Sequence, residues 1–286
     1  MSDTTPNVFD TISQSYYELT AAERKTADYV LKHRDRSQYL SIGELAEESG
    51  VAEATVSRFC RRLGYKGYNA FKLAIANAGA VKLDAADPDR PMRGSDDPIE
   101  LARKLYAVES EAMLQTLSLL RPAELDRAVA ILRGARKVLC MGQGGSMILA
   151  AEAAHLFSVC EGKYFPVSDS HMQIIAAATL TAEDAVLFFS YSGATRDMME
   201  TLNVVRSQGA KTVLITRFPR SPGAQLADVV LQCGSNENPL QHGSVPARIA
   251  QLFLLDILFT RVCLSEPDAC RQSRKRIAEA LADKHL

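Results

Sequence analysis

The spacing of hydrophobic positions changes character partway along this chain. From Asn7 to about Ala80, apolar residues recur at helical intervals in five short segments, and the same spacing returns over 99–120 and 123–132. Thr20-Ala21-Ala22-Glu23 and Ser41-Ile42-Gly43-Glu44 have the capping-box pattern that opens a helix, and Gly50 and Gly64 stand where helices are expected to end. Between the two helical stretches the pattern is lost to Asp84, Asp87, Pro88, Asp89, Pro91, Gly94, Asp96 and Asp97, a polar linker.

From Lys137 onward, short apolar runs alternate with helical ones. Strands are predicted over 137–141, 164–167, 185–190, 211–216 and 228–233, and helices over 146–159, 171–178, 195–208 and 245–264. Strands that are apolar on both faces and alternate with helices specify a parallel sheet covered by helices on each side. Such sheets bind ligands beyond the carboxyl ends of their strands, at the switch point. The loops 142–146 and 190–195, rich in glycine and serine, both follow strands at that edge. The predicted division is a helical domain over 1–80, a linker over 81–98 and an α/β domain over 99–286.

Composition narrows the possibilities. A length of 286 residues is enough for two domains with separate cores. The formal net charge is −1, so any contact with nucleic acid must come from a local basic patch. The six cysteines (Cys60, Cys140, Cys160, Cys233, Cys263, Cys270) show no C-x-x-C and no metal-like spacing, which fits reduced core thiols in a cytoplasmic protein. The N-terminus is polar and has no apolar stretch of signal-peptide type. Asp256 and Arg261 interrupt the longest apolar run, 249–264, which reads as a buried helix and not a membrane span. No metal or cofactor is expected.

Residues 42–63 read as a helix-turn-helix. Leu45, Val51, Val56 and Phe59 are spaced to fill the core between two crossed helices, with Ala46 small at their contact and Gly50 at the turn. The second helix is expected to expose Glu53, Thr55, Ser57, Arg58, Arg61 and Arg62, and from Arg58 to Lys72 every ionic residue is basic. Thr55, Ser57, Arg58, Arg61, Arg62 and Lys66 are the candidate DNA contacts. Arginine grips phosphate or a guanine edge, and hydroxyls reach either. Apolar spacing alone also fits a helical bundle with a solvated basic face; the turn chemistry and the basic run point to DNA.

The second candidate site follows the run Val186-Leu187-Phe188-Phe189. There Ser190, Ser192, Gly193 and Thr195 precede a helix whose free N–H groups and dipole favour an anion. The loop carries no lysine, which suits a sugar phosphate better than a nucleoside triphosphate. An isolated serine in such a place is an ordinary N-cap; three hydroxyls within six residues form an anion-binding pattern. Ser146, at the start of the preceding helix, is a candidate for the same phosphate or a sugar hydroxyl. Gly142-Gln143-Gly144 begins like a dinucleotide fingerprint, but Met147 is too bulky at the third small position, and no Walker A sequence occurs. His171, Glu237 and His242 are candidates for the sugar, and Arg217 and Arg220 for added positive charge; each also fits a solvated surface position.

The stretch Leu45-Ala46-Glu47, Gly50-Val51 and Ala54 through Tyr68, with Phe71-Lys72, resembles the N-terminal domain of RpiR-type bacterial transcriptional regulators. Ala52 departs from the serine usual in that family before the recognition helix, at a cost of about 1 kcal/mol in cap strength. The span from Val138 to about Leu264 resembles the SIS domain those regulators carry, through Gly142 to Ser146, Asp169 to His171, Ser190 to Thr195, Ile215-Thr216 and Leu226-Ala227-Asp228. The resemblance implies a flavodoxin-like, three-layer fold with a five-stranded parallel sheet, binding of a phosphorylated sugar, and subunit association through these domains. In SIS-domain isomerases a glutamate near the place of Glu237 shuttles the proton between C1 and C2, which implies that Glu237 sits near the sugar.

Two functions follow. The first is a regulator of carbohydrate metabolism that binds duplex operator DNA as a homodimer or homotetramer and responds to a phosphosugar. The apolar faces of helices 99–120 and 245–264 would then serve either association or burial within the subunit. The alternative is an aldose–ketose isomerase with an accessory helical domain, using Glu237 with His171 or His242 as base and acid.

Overall fold

The computed structural model describes residues 8–82, 97–235 and 245–282. They divide into two compact units, one reaching Leu105 and one beginning at Tyr106.

The first unit is helical. Its elements are α1 (Val8–Ser15), a single 3-10 turn (Tyr16–Glu18), α2 (Ala21–Lys32), α3 (Arg34–Ser37), α4 (Ile42–Glu48), α5 (Glu53–Arg62) and α6 (Tyr68–Lys82). Both capping boxes form: the Glu23 N–H donates to Thr20 Oγ1 at 3.3 Å while the Glu23 carboxylate accepts from the Thr20 N–H at 2.9 Å, and Ser41 and Glu44 repeat the exchange. α4 and α5 both end in Schellman motifs. Val51 N–H reaches Ala46 O at 2.9 Å and Tyr65 N–H reaches Cys60 O at 3.0 Å, with Gly50 and Gly64 in the left-handed region. α3 spans only four residues, too few to carry a readable period. Leu45, Val56, Phe59 and Phe71 are sealed in the core, where the Phe59 and Phe71 rings meet edge to face at 5.4 Å.

The second unit takes α7 (Pro98–Leu119) from Tyr106 on, followed by α8 (Pro122–Gly134), β1 (Val138–Gly142), α9 (Gly145–Ser158), β2 (Tyr164–Val167), α10 (Ser170–Ala178), β3 (Ala185–Phe189), α11 (Arg196–Ser207), β4 (Lys211–Thr216), β5 (Val229–Gln232), α12 (Val245–Ser265) and α13 (Pro267–Leu281). The strands form one five-stranded parallel sheet in the order β2-β1-β3-β4-β5. Strand side chains alternate between two cores. Cys140, Leu187, Phe189 and Val213 pack with Leu125 of α8, Ala153 of α9 and Leu258 of α12. Met141, Val186, Phe188 and Leu214 pack with Ala177 of α10 and Met198 and Leu202 of α11. This is the expected flavodoxin-like three-layer arrangement.

The two helices expected to serve association or burial differ in how much they bury. α12 buries Leu254, Leu255, Leu258 and Phe259 within its own unit, whereas α7 leaves Ile99, Tyr106, Leu114 and Leu117 exposed. α13 was not predicted; it buries only Cys270 and Ser273, too narrow a stripe to read as amphipathic. Among the described residues, no helix is long and apolar enough to cross a membrane.

Candidate functional site

The strand order reverses between β1 and β3: β1 leads outward to β2, and β3 leads to β4. Loops leaving the carboxyl ends of these two strands therefore diverge around a crevice. Gly142 ends β1 because a Cβ there would lie 2.6 Å from the Ser146 carbonyl oxygen, so only glycine lets α9 start against the strand. Ser146 falls half-buried in the first turn of α9, its N–H donating to Gln143 O at 3.1 Å.

On the other side of the crevice, Thr195 is the N-cap residue of α11, but its side chain does not cap. Instead Thr195 Oγ1 donates to Gln143 Oε1 at 2.8 Å, joining the two loops. Ser192, Ala194, Thr195 and Arg196 are exposed, so the positive end of the α11 dipole opens to solvent.

Three placements in this loop differ from what the sequence suggested. Ser190 is buried and its Oγ accepts the Gly193 N–H at 3.1 Å, which makes it a brace for the turn. The Ala194 N–H is likewise taken by Ser192 Oγ at 3.3 Å, so the N–H groups expected to receive an anion are engaged within the loop. Gly193, with φ of 61°, does not open the backbone to a ligand: a Cβ there would lie 2.1 Å from Ser221 Oγ, and its carbonyl accepts from the Gly223 N–H at 2.9 Å. The glycine admits the loop after β4. The polar groups left exposed at this edge are Ser192 and Thr195 with the first turn of α11.

His171 lies exposed in the first turn of α10, after Asp169, whose carboxylate caps the helix by accepting the Met172 N–H at 2.8 Å. Glu237 and His242 lie outside the described residues. Arg217 turns to the framework, donating from Nε to Ser235 O at 3.1 Å, while Arg220 is exposed. The same Ser235 carbonyl accepts from the Tyr191 hydroxyl at 3.0 Å, and the Ser235 N–H donates to Gln115 Oε1 of α7 at 3.1 Å. Ser235 holds this position in the left-handed region, with φ of 72°.

Sequence reasoning missed three residues here. Gln143 was read as part of a failed dinucleotide motif and of the loop that resembles the SIS domain, with no role of its own, yet its amide nitrogen is buried with no hydrogen-bond partner among the described residues. Arg248, in the first turns of α12, places Nη1 3.4 Å from where a Gly145 Cβ would be, and so adds a cation beside the β1 loop. Gln173 of α10 is buried and donates to both Gly142 O and Val167 O at 2.8 Å, tying the ends of β1 and β2. A glycine-rich loop signals itself in a sequence; its distant partners on other helices do not.

The helix-turn-helix face also differs from expectation. Ala54, Ser57, Arg58 and Arg61 share one side of α5 at helical spacing, and all but half-buried Ser57 are exposed. Thr55, expected on that side, is buried: it stands four residues before Phe59 and shares its inward stripe. Its Oγ1 accepts from Arg58 Nη2 at 3.2 Å. Arg62 pairs with Glu23 at 3.2 Å and donates to Glu18 O at 3.3 Å, which ties α5 back to α2. Burial alone would raise the Glu23 carboxyl, but hydrogen bonds from Thr20 and the Arg62 charge outweigh it and hold the group below its ordinary range. Lys66 is exposed just beyond α5, and Ala52 supplies no side-chain cap.

Residues 6–82 match the helix-turn-helix domain of the rpiR family, and residues 131–261 match the SIS domain. An HTH-type transcriptional regulator of Haemophilus influenzae is 31% identical over 282 residues, covering 98% of each chain. The HTH-type transcriptional regulator HexR of Pseudomonas aeruginosa is 31% identical over 275 residues, covering 96% of this chain and 95% of that one. Among solved structures, the Vibrio vulnificus NanR protein complexed with ManNAc-6P shares the fold with a TM-score of 0.85 at 24% identity, covering 98% of this chain and 100% of that one. With an exposed basic face on α5 and a crevice at the β1/β3 switch point, the chain belongs to the rpiR family of helix-turn-helix transcriptional regulators that carry a SIS domain.

Proposed function

We propose that this regulator reads operator DNA through α5 and that a phosphorylated sugar at the β1/β3 switch point changes its operator affinity. The observation that carries the reading is the Thr195–Gln143 bond, which brings two strand-end loops together beside an uncapped helix N-terminus. Ser192, Thr195 and the α11 dipole receive the phosphate, with Ser190 and Gly193 fixing the loop's shape. Ser146, Gln143 and Arg248 face the remaining polar groups of the ligand, and His171 and Glu237 complete the sugar contacts. The sugar phosphate bound to NanR supports this choice of ligand class.

On DNA, Ser57, Arg58 and Arg61 meet base edges and phosphates, Lys66 meets phosphate, and Thr55 and Arg62 support the helix from behind. Assembly as a homodimer or homotetramer, with the exposed apolar residues of α7 contributing, matches a two-fold operator. Control requires unequal ligand affinity in the DNA-competent and DNA-incompetent states. The protein acts in the cytoplasm, with residues 81–98 linking its reading and sensing domains.

A thermal-shift screen of phosphosugars, followed by anisotropy titration of duplex DNA from the protein's own upstream region, tests this reading. A stabilising phosphosugar should change DNA affinity at fixed salt. A ligand that stabilises wild type and Ser192→Ala/Thr195→Ala equally, or leaves DNA affinity unchanged, overturns it.

A further inference from the structure

Cys160 converges with Cys263 and Cys270, more than a hundred residues later, on the side of the sheet covered by α8, α9 and α12. Cys160 follows α9, Cys263 lies in the last turn of α12, and Cys270 is in the first turns of α13. Cys160 Sγ is 3.1 Å from Cys263 Sγ and 3.0 Å from Cys270 Sγ, and all three sulfurs lie within 4.8 Å of one another. Cys160 and Cys270 are buried, whereas Cys263 is only partly covered. No other histidine, cysteine, aspartate or glutamate joins the group among the described residues.

We infer that Cys160, Cys263 and Cys270 form a binding site for one divalent thiophilic ion of the zinc class, held by three thiolates. A zinc–sulfur bond of about 2.3 Å requires ligand sulfurs roughly 3.8 Å apart, a spacing that small side-chain rotations supply here. The half-covered side at Cys263 leaves room for water as a fourth ligand. On binding, three S–H bonds break, three metal–sulfur bonds form, and three protons leave to solvent. The resulting centre carries one net negative charge, and Arg274 Nη2, 3.9 Å from Cys263 Sγ, stands beside it.

A disulfide is the competing use of these sulfurs, and the geometry disfavours it. Cys160 is placed alike toward two neighbours, whereas a disulfide takes one and strands the other. A metal ion takes all three sulfurs at once and itself displaces the thiol protons.

The test uses the full-length protein, reduced and metal-free, titrated with Cd(II) as a spectroscopic probe and with Zn(II) in competition. One ion should bind per chain, with an ultraviolet thiolate-to-metal charge-transfer band, proton release, a higher Tm, and protection of Cys263 from alkylation. Each of Cys160→Ser, Cys263→Ser and Cys270→Ser should weaken binding at least tenfold. If a variant fails to fold, the stoichiometry and alkylation map of wild type decide. Absence of a stoichiometric band, unchanged affinity in the three folded variants, or a disulfide joining Cys160 to either partner in protein isolated without reductant overturns the assignment.

Discussion

Thr195 Oγ1 and Gln143 Oε1 are joined by a 2.8 Å hydrogen bond that links the loop after β3 to the loop after β1. Thr195 is exposed, while the neighbouring Ser190 is buried and bonded to the Gly193 N–H, so the two hydroxyls of one motif have different duties. Thr195→Ala should weaken phosphosugar binding about tenfold, roughly 1.4 kcal/mol, with little change in Tm. Ser190→Ala should instead cost about 1–3 kcal/mol of stability, because a buried N–H loses its acceptor. Calorimetric titration and thermal melts of both variants separate the two duties. Equal losses of affinity and stability in each would contradict the division.

The same separation applies on α5. Arg61→Ala should weaken DNA binding and reduce the salt slope by about one, as loss of a single phosphate contact does. Arg62→Ala should act first on stability, because Arg62 pairs with a buried carboxylate. Anisotropy titrations across a salt series, with melts of each variant, provide the check. A lower salt slope in Arg62→Ala at unchanged Tm would place Arg62 on the DNA instead.

Ala52 begins the recognition helix without a capping side chain. Ala52→Ser should restore an acceptor for the first-turn N–H groups and add about 1 kcal/mol of stability. Chemical denaturation of the variant should give a higher midpoint at unchanged m-value.

Glu23 gives the helical unit a pH dependence. Its carboxyl is held below its ordinary value of 4.5 in the folded chain. The stabilisation is therefore fully present above about pH 4.5 and is lost as pH falls through the folded value. Glu23→Gln should lower Tm most at neutral pH, and its difference from wild type should shrink in acid. Melts of both proteins between pH 7 and pH 3 measure this; a constant difference would mean that the carboxyl is not depressed.

Much of this architecture is legible in the sequence because its signals are local. Thr20–Glu23 and Ser41–Glu44 fix two helix starts within four residues, and Gly50 and Gly64 fix two helix ends through one backbone angle each. The strands announce themselves by apolar runs of four to six residues, observed at most a residue or so from the predicted bounds. What escapes is what depends on distant chain. Thr55 was legible in retrospect, since its spacing from Phe59 places it inward, but its hydroxyl suggested an outward role. Arg62 declares its partner only once α2 packs on α5. Arg248 and Cys160 are brought to their neighbours by the sheet's parallel topology, to which no linear spacing corresponds.

Ser235 shows where that topology joins the ligand-facing edge to a helix. A non-glycine residue in the left-handed region costs about 1–2 kcal/mol, and here three hydrogen bonds hold it there: its own N–H to Gln115, and its carbonyl to Tyr191 and Arg217. Loop 190–195 and α7 consequently share an anchor. Neither shifts by a substantial fraction of an ångström without stretching a bond to Ser235, so a displacement of Tyr191 is opposed at Gln115 of α7.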